Sequence, residues 1–172
     1  AFLDHTTGEF RVGEFENRSA LEDELARVAP SELLHSDDQE GEFDDLRASL
    51  PYDGYAFLFE HAEFALKEHF GVQSLDGFGC AGMRAAVASA GAILHYLKTQ
   101  LRREAGHIRR IQTCHPEDYV LIDKAGQLNL ELVESRSGRP NTLLHTIDRT
   151  CTPMGGRKLR DWLLHPLRDL DE

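Results

Sequence analysis

Ser19-Ala-Leu-Glu-Asp-Glu-Leu-Ala-Arg-Val-Ala-Pro-Ser-Glu-Leu-Leu-His35 decides how this chain is layered. Ser19-x-x-Glu22 has the form of a capping box, in which a hydroxyl and a carboxylate satisfy the first free N–H groups of a helix. Leu21, Leu25 and Val28 then recur at i, i+4 and i+7, one face of a helix closed by Pro30. Glu32-Leu-Leu-His35 follows as a short strand, expected to run parallel to the strand before the helix because a helix separates the two. Upstream, Phe2-Leu3, the turn Thr6-Thr7-Gly8 and the alternation of Phe10, Val12 and Glu14 with Arg11 and Gly13 read as a β-hairpin. Strand, helix and returning strand make the fold class α/β, a mixed sheet flanked by helices.

Working outward, 37–45 reads as an acidic loop and 55–59 as a strand or a lead-in to a helix at 60–70 that ends at Gly71. An Ala- and Gly-rich stretch predicts a long, closely packed helix over 80–103. Strands are expected at 108–113, 119–122 and 128–133, with a tight turn at Lys124-Ala125-Gly126 and a polar loop at 135–140. A boundary falls near 104–110, where Gly106 interrupts a basic stretch. The expected core of the first part comprises Leu21, Leu25, Val28, Leu33, Phe57, Leu66, Phe70, Ile93 and Leu97. Towards the end, Leu143, Leu144 and Ile147 form one short apolar face. Thr152 and Pro153 suit the cap and first position of a further helix, whose stripe is Leu159, Trp162 and Leu163, with Pro166 as its stop.

Four collinear stretches resemble the MutS family of DNA mismatch repair proteins. They are Leu3-Asp-His-Thr-Thr-Gly-Glu-Phe10; Ser74-Leu-Asp-Gly-Phe-Gly79 with Ala90-Gly-Ala-Ile-Leu-His-Tyr-Leu97; Asn129-Leu-Glu-Leu132, with Gly126 where the family has Thr; and Thr150-Cys-Thr-Pro-Met-Gly-Gly-Arg157 with Asp161-Trp-Leu-Leu-His-Pro-Leu167. The resemblance covers nearly the whole chain. It implies a ribonuclease-H-like connector domain over 1–105, then the mainly helical opening of the core, or lever, domain over 106–172. It further implies a full-length protein that recognises mispaired DNA, uses ATP and Mg in a domain not contained here, and recruits the partner MutL. The chain begins inside a strand and ends on an acidic stub, as expected of a piece of a longer protein.

Chemistry within the chain is sparse. There is no Gly-x-x-x-x-Gly-Lys-Ser/Thr phosphate loop, no Gly-x-Ser-x-Gly elbow and no Phe-x-Glu motif. Gly77-x-Gly79-x-x-Gly82 has dinucleotide-loop spacing, but Ser74-Leu75-Asp76 is a poor buried strand, so a turn entering a small-residue helix is preferred. Cys80, Cys114 and Cys151 lack Cys-x-x-Cys spacing and read as free thiols. No catalytic residue, cofactor site or metal ligand is therefore assigned. Two alternatives remain: a purely structural linker, and a two-metal nuclease built on Asp4 with Glu60, Asp76 or Asp123, against which stands a turn-capping role for Asp4.

Charge is uneven. Residues 1–80 carry 5 Lys+Arg and 19 Asp+Glu, against 14 and 11 in residues 81–172. Such an acidic first half repels a phosphate backbone, so weak DNA binding is expected of the chain by itself. No apolar run approaches the roughly 20 residues needed to span a bilayer, and a cytoplasmic location is expected. One surface stands out. On a helix over 60–70, Phe59, Ala62, Leu66 and Phe70 share a stripe, whereas Phe64 lies roughly 140° from Phe59, at about 100° per residue. An aromatic ring on a polar face is a candidate interface anchor, so Phe64, rimmed by Glu63 and Lys67, is assigned to partner binding. The competing reading packs Phe64 under the acidic loop or against a following domain.

Overall fold

The computed structural model describes residues 1–39, 41–43, 46, 48–115, 118–137 and 139–169. The fold is mixed α/β, and the chain divides into two compact units: residues 1–14 with 30–114, and residues 15–29 with 115–172.

In the first unit, β1 (Phe2–Asp4) and β2 (Glu9–Val12) form the expected hairpin, with Leu3 opposite Phe10. Asp4 makes the turn: its Oδ1 accepts from the Thr6 N–H at 2.8 Å and the Thr6 hydroxyl at 2.6 Å. β3 (Leu33–Ser36) does not join this hairpin. It pairs in parallel with β4 (Ser49–Tyr52) as a separate two-stranded sheet. β2 instead takes a parallel partner from late in the chain, β5 (Gln112–Thr113), giving a mixed sheet in the order β1-β2-β5. The predicted loop 37–45 opens with a 3-10 turn, Asp37–Gln39; its residues 40, 44 and 45 lie outside the described residues.

A 3-10 turn, Gly54–Phe57, leads into α2 (Phe59–Phe70), which ends with Gly71 in the left-handed region at φ 65°. α3 (Arg84–Thr99) is shorter than the predicted 80–103, because Met83 N–H bonds back to Cys80 O and Gly82 takes φ 79°. α3 has no side-chain cap of its own. Glu14 supplies one from the far side of the hairpin, accepting from Ala85 N–H at 2.9 Å and Ala86 N–H at 3.1 Å, where helix N–H groups are otherwise unpaired.

α2 and α3 meet at Ala62 and Gly91. A Cβ on Gly91 would land on the Cα and Cβ of Ala62, so only glycine permits this approach. The core they share includes Phe10, Val12, Leu66, Leu94, Leu97 and Ile108. A smaller cluster of Tyr52, Ala56 and Ala92 covers the β4 side of α3. Of the expected core residues Leu66 and Leu97 are buried, while Leu33, Phe57, Phe70 and Ile93 are half-buried.

The second unit contains α1 (Arg18–Val28), α4 (Lys124–Asn129), α5 (Leu143–Ile147) and α6 (Pro153–Leu164). The capping box is not used: Asn17 caps α1, its side chain accepting from Ala20 N–H at 2.9 Å, and Ser19 falls inside the first turn. Leu21, Leu25 and Val28 are half-buried, and the buried residue of α1 is Arg27. Where a turn at Lys124-Ala125-Gly126 and a strand over 128–133 were expected, Asp123 caps α4 through Gly126 N–H at 2.7 Å, and residues 124–129 continue as helix. The strand predicted over 119–122 is a single antiparallel bridge, Tyr119 with Leu167. Within the predicted polar loop, Arg139–Asn141 forms a 3-10 turn, and residue 138 lies outside the described residues.

Thr142 and Thr152 cap α5 and α6, with Pro153 in the first turn as expected. The predicted stripe of α6 is turned outward in part. Leu164 is buried, Leu159 and Leu163 are half-buried, and Trp162 is 64% exposed. Two polar groups bond this end of the helix to α1: Arg160 to Arg27 O and, just past the helix, His165 to Glu24.

Candidate partner-binding surface

The apolar stripe of α2 is consumed by the fold. Ala62 and Leu66 are buried, and Phe59 and Phe70 pack against the core edge. Helical geometry then forces Phe64 onto the opposite side, at the centre of the solvent face, where it is 69% exposed. That exposure removes the alternative in which Phe64 packs under the loop 37–45. Lys67 Nζ bonds Glu63 Oε1 at 2.9 Å, an i,i+4 pair on the same helix. At the start of the same helix Arg84 lies over the Phe59 ring at 4.0 Å and 3.6 Å from Glu60.

Three further exposed groups lie within or just before this helix and were not singled out from the sequence. Tyr55 is 53% exposed and Leu58 49%. His61 stacks on Tyr55 with ring centroids 4.0 Å apart and shares a hydrogen bond of 3.0 Å with its hydroxyl. His61, three residues before Phe64, could have been read from the helical wheel. Tyr55 and Leu58 lie in or just after the 3-10 turn, where no helical period applies.

The acids proposed for a nuclease have other employment. Asp4 makes the hairpin turn, Asp123 caps α4, Glu60 faces Arg84, and Asp76 opens the 3-10 turn Asp76–Phe78. Among the described residues no three His, Cys, Asp or Glu side chains converge to hold a metal ion. Nor is any helix among them long and apolar enough to cross a membrane.

The second unit contains a charge network of half-buried groups around the buried Arg27. Glu24 of α1 bonds Arg27 at 2.9 Å and His165 at 3.2 Å, and the other imidazole nitrogen lies 3.0 Å from the Asp161 carboxylate. Arg160 donates to Arg27 O at 3.2 Å, and Tyr119 meets the His165 ring edge-on. Burial opposes the charge on His165, but its bonds to Asp161 and Glu24 outweigh burial and raise its pKa to about 9.

The described residues form two packed units, the first of which presents an exposed aromatic ring. The family follows from comparison. Residues 1–109 match the family model for MutS domain II and residues 127–172 that for MutS domain III, so the chain belongs to the MutS family. It is similar to proteins named DNA mismatch repair protein MutS: 44% identical to that of Syntrophobacter fumaroxidans, 41% to that of Chlamydia abortus and 37% to that of Salinibacter ruber, over 99–100% of this chain. The chain spans about a fifth of the length of these relatives.

Proposed function

We infer that this chain is a non-catalytic piece of a mismatch repair protein, comprising a ribonuclease-H-like connector over residues 1–105 and the opening of the core domain over 106–172. In the full-length protein it transmits between mispaired DNA and an ATP- and Mg-dependent domain elsewhere, in the cytoplasm. The solvent face of α2, with Phe64 as anchor and Glu63 and Lys67 as rim, receives a protein partner, which by resemblance is MutL. The observation that carries this reading is the position of Phe64. A large ring is held in water on a helix whose other face is already committed to the core. By itself the chain binds DNA weakly, because its net charge is −11.

The test is Phe64→Ala in the full-length protein, followed by thermal melting and MutL capture. Capture falls while the melting temperature stays within about 1 °C, since exposed sites contribute little to stability. Intact capture refutes the surface; a marked loss of stability would make Phe64 a packing residue.

A further inference from the structure

Phe64 is one end of a longer apolar ridge that the first unit keeps outside its core. The 3-10 turn Gly54–Phe57 closes with Leu58 N–H bonded to Tyr55 O at 3.2 Å. In such a turn side chains three apart eclipse one another, so Leu58 stands beside Tyr55. Tyr55 in turn reaches the first turn of α2, where its ring stacks on His61. His61 and Phe64 are three apart on the helix and are therefore surface neighbours. Tyr55, Leu58, His61 and Phe64 are all exposed, whereas Ala56, Ala62 and Leu66 of the same elements are buried. Neither core cluster includes Tyr55, Leu58 or Phe64, so the core is complete without the ridge.

The ground around the ridge is acidic. At the Tyr55 end, Asp37 Oδ1 accepts from Gly54 N–H at 2.9 Å, and a Cβ on Gly54 would lie 2.7 Å from Asp38 Oδ2. Asp53 Oδ1 accepts from Tyr55 N–H at 2.9 Å. At the other end Glu68 is exposed, one helical turn beyond Phe64. None of these four acids forms an ion pair among the described residues. Lys67 and Arg84 bring no surplus of positive charge, since each is matched by an acid of α2, Glu63 and Glu60.

Shape and charge together select what can cover such a ridge. A nucleic acid or an anionic membrane is repelled by the four acids. A second copy of this chain, docking through the same face, would set its own four acids against these. Exposed rings within a polar surround are the anchors of protein interfaces, and positions three apart are how a helix enters a groove.

We propose that Tyr55, Leu58, His61 and Phe64 act as one docking ridge, and that its occupant is a protein partner with an apolar groove rimmed by Lys and Arg. This rests on the reading that the face around Phe64 receives a protein. The family supplies the probe used below; charge and shape supply the chemistry of the partner surface.

The experiment follows association of the full-length protein with MutL by surface kinetics across a salt series, with thermal melting of every variant. Tyr55→Ala and Leu58→Ala should each weaken capture about tenfold, the loss of one anchor, and melt as the native protein does. Asp38→Asn combined with Glu68→Gln keeps the shapes and removes two charges. It should slow association at low salt, and the difference should close as salt rises. Capture that is lost with Phe64→Ala but native with Tyr55→Ala and Leu58→Ala overturns the ridge and leaves the Phe64 surface standing. Native capture in all three variants removes that surface, and the ridge with it. Association that is unchanged or faster without the two acids overturns the cationic groove. A marked fall in melting temperature with Tyr55→Ala or Leu58→Ala would assign that residue to packing and overturn its place in the ridge.

Discussion

The helix pair α2–α3 and the helix pair α1–α6 are held by opposite means. In the first, Ala62 lies against Gly91, and Leu66 and Leu94 are sealed in an apolar core. In the second, the apolar residues of α1 are only half-buried, and bonds run between the helices from Arg160 to the Arg27 carbonyl and from His165 to Glu24, which also pairs with Arg27. Close packing is intolerant of volume and indifferent to pH. A buried ion network tolerates little change in charge, and its strength follows the protonation of its members. The two units should therefore fail under different insults.

The largest effect should come from adding one methyl group to the first pair. Gly91→Ala puts a Cβ onto the backbone of Ala62, not onto a flexible side-chain end that could move aside. The cost should be about 3 kcal/mol, against a gain of under about 1 kcal/mol from better helix propensity. Thermal melting should show a fall of roughly 6–12 °C. A melting temperature within about 2 °C of native would mean that α2 and α3 are not in this contact.

The second pair should respond to charge and to pH. Glu24→Gln keeps the shape and leaves Arg27 and His165 without their shared carboxylate, at a cost of about 2 kcal/mol near neutrality. Because the folded pKa of His165 is raised to about 9 from 6.5, its contribution is fully present below pH 6.5 and is lost as pH rises through about 9. The stability advantage of the native chain over His165→Gln should shrink across that window. An advantage that stays constant, or grows with pH, would remove the histidine from the network. In Gly91→Ala the same titration should leave the deficit unchanged, which separates the two kinds of pairing.

The contrast also explains what was legible in the sequence. The hairpin, α2, the Thr152 cap with Pro153 behind it and the place of Phe64 on the polar face of α2 could be read because each is set by residues within a few positions of one another. The capping box was misplaced because Asn17, two residues earlier, offers an amide oxygen that competes for the same N–H groups. Residues 128–133 read as a strand by apolar content, but Asp123 caps a helix through Gly126 that takes residues 128 and 129. The pairing of β2 with β5 joins residues about a hundred apart, and β3 lies with β4 in another sheet. Nothing local encodes either choice. Glu14 as a remote cap for α3, and Glu24 as the hub of a buried network, were equally silent, since a lone glutamate on a helix or loop reads as solvated. The aromatic at the centre of the candidate surface was visible; Tyr55 and Leu58, on irregular backbone, were not.

The smallest effect concerns the single tryptophan, and it sharpens the contrast from within α6. If this helix is attached to α1 through Arg160 and His165, then Trp162, 64% exposed, contributes almost nothing to its attachment. Trp162→Ala should change stability by less than about 0.5 kcal/mol, the range of ordinary surface sites. In this chain its emission should be that of a ring in water, red-shifted and readily quenched by iodide. Glu24→Gln should leave that spectrum unaltered while lowering the melting temperature, because the ring is not in the network being broken. A loss of several kcal/mol on truncating Trp162, or a blue, unquenched emission, would mean that α6 is held by its apolar stripe after all. The second unit would then obey the same packing logic as the first.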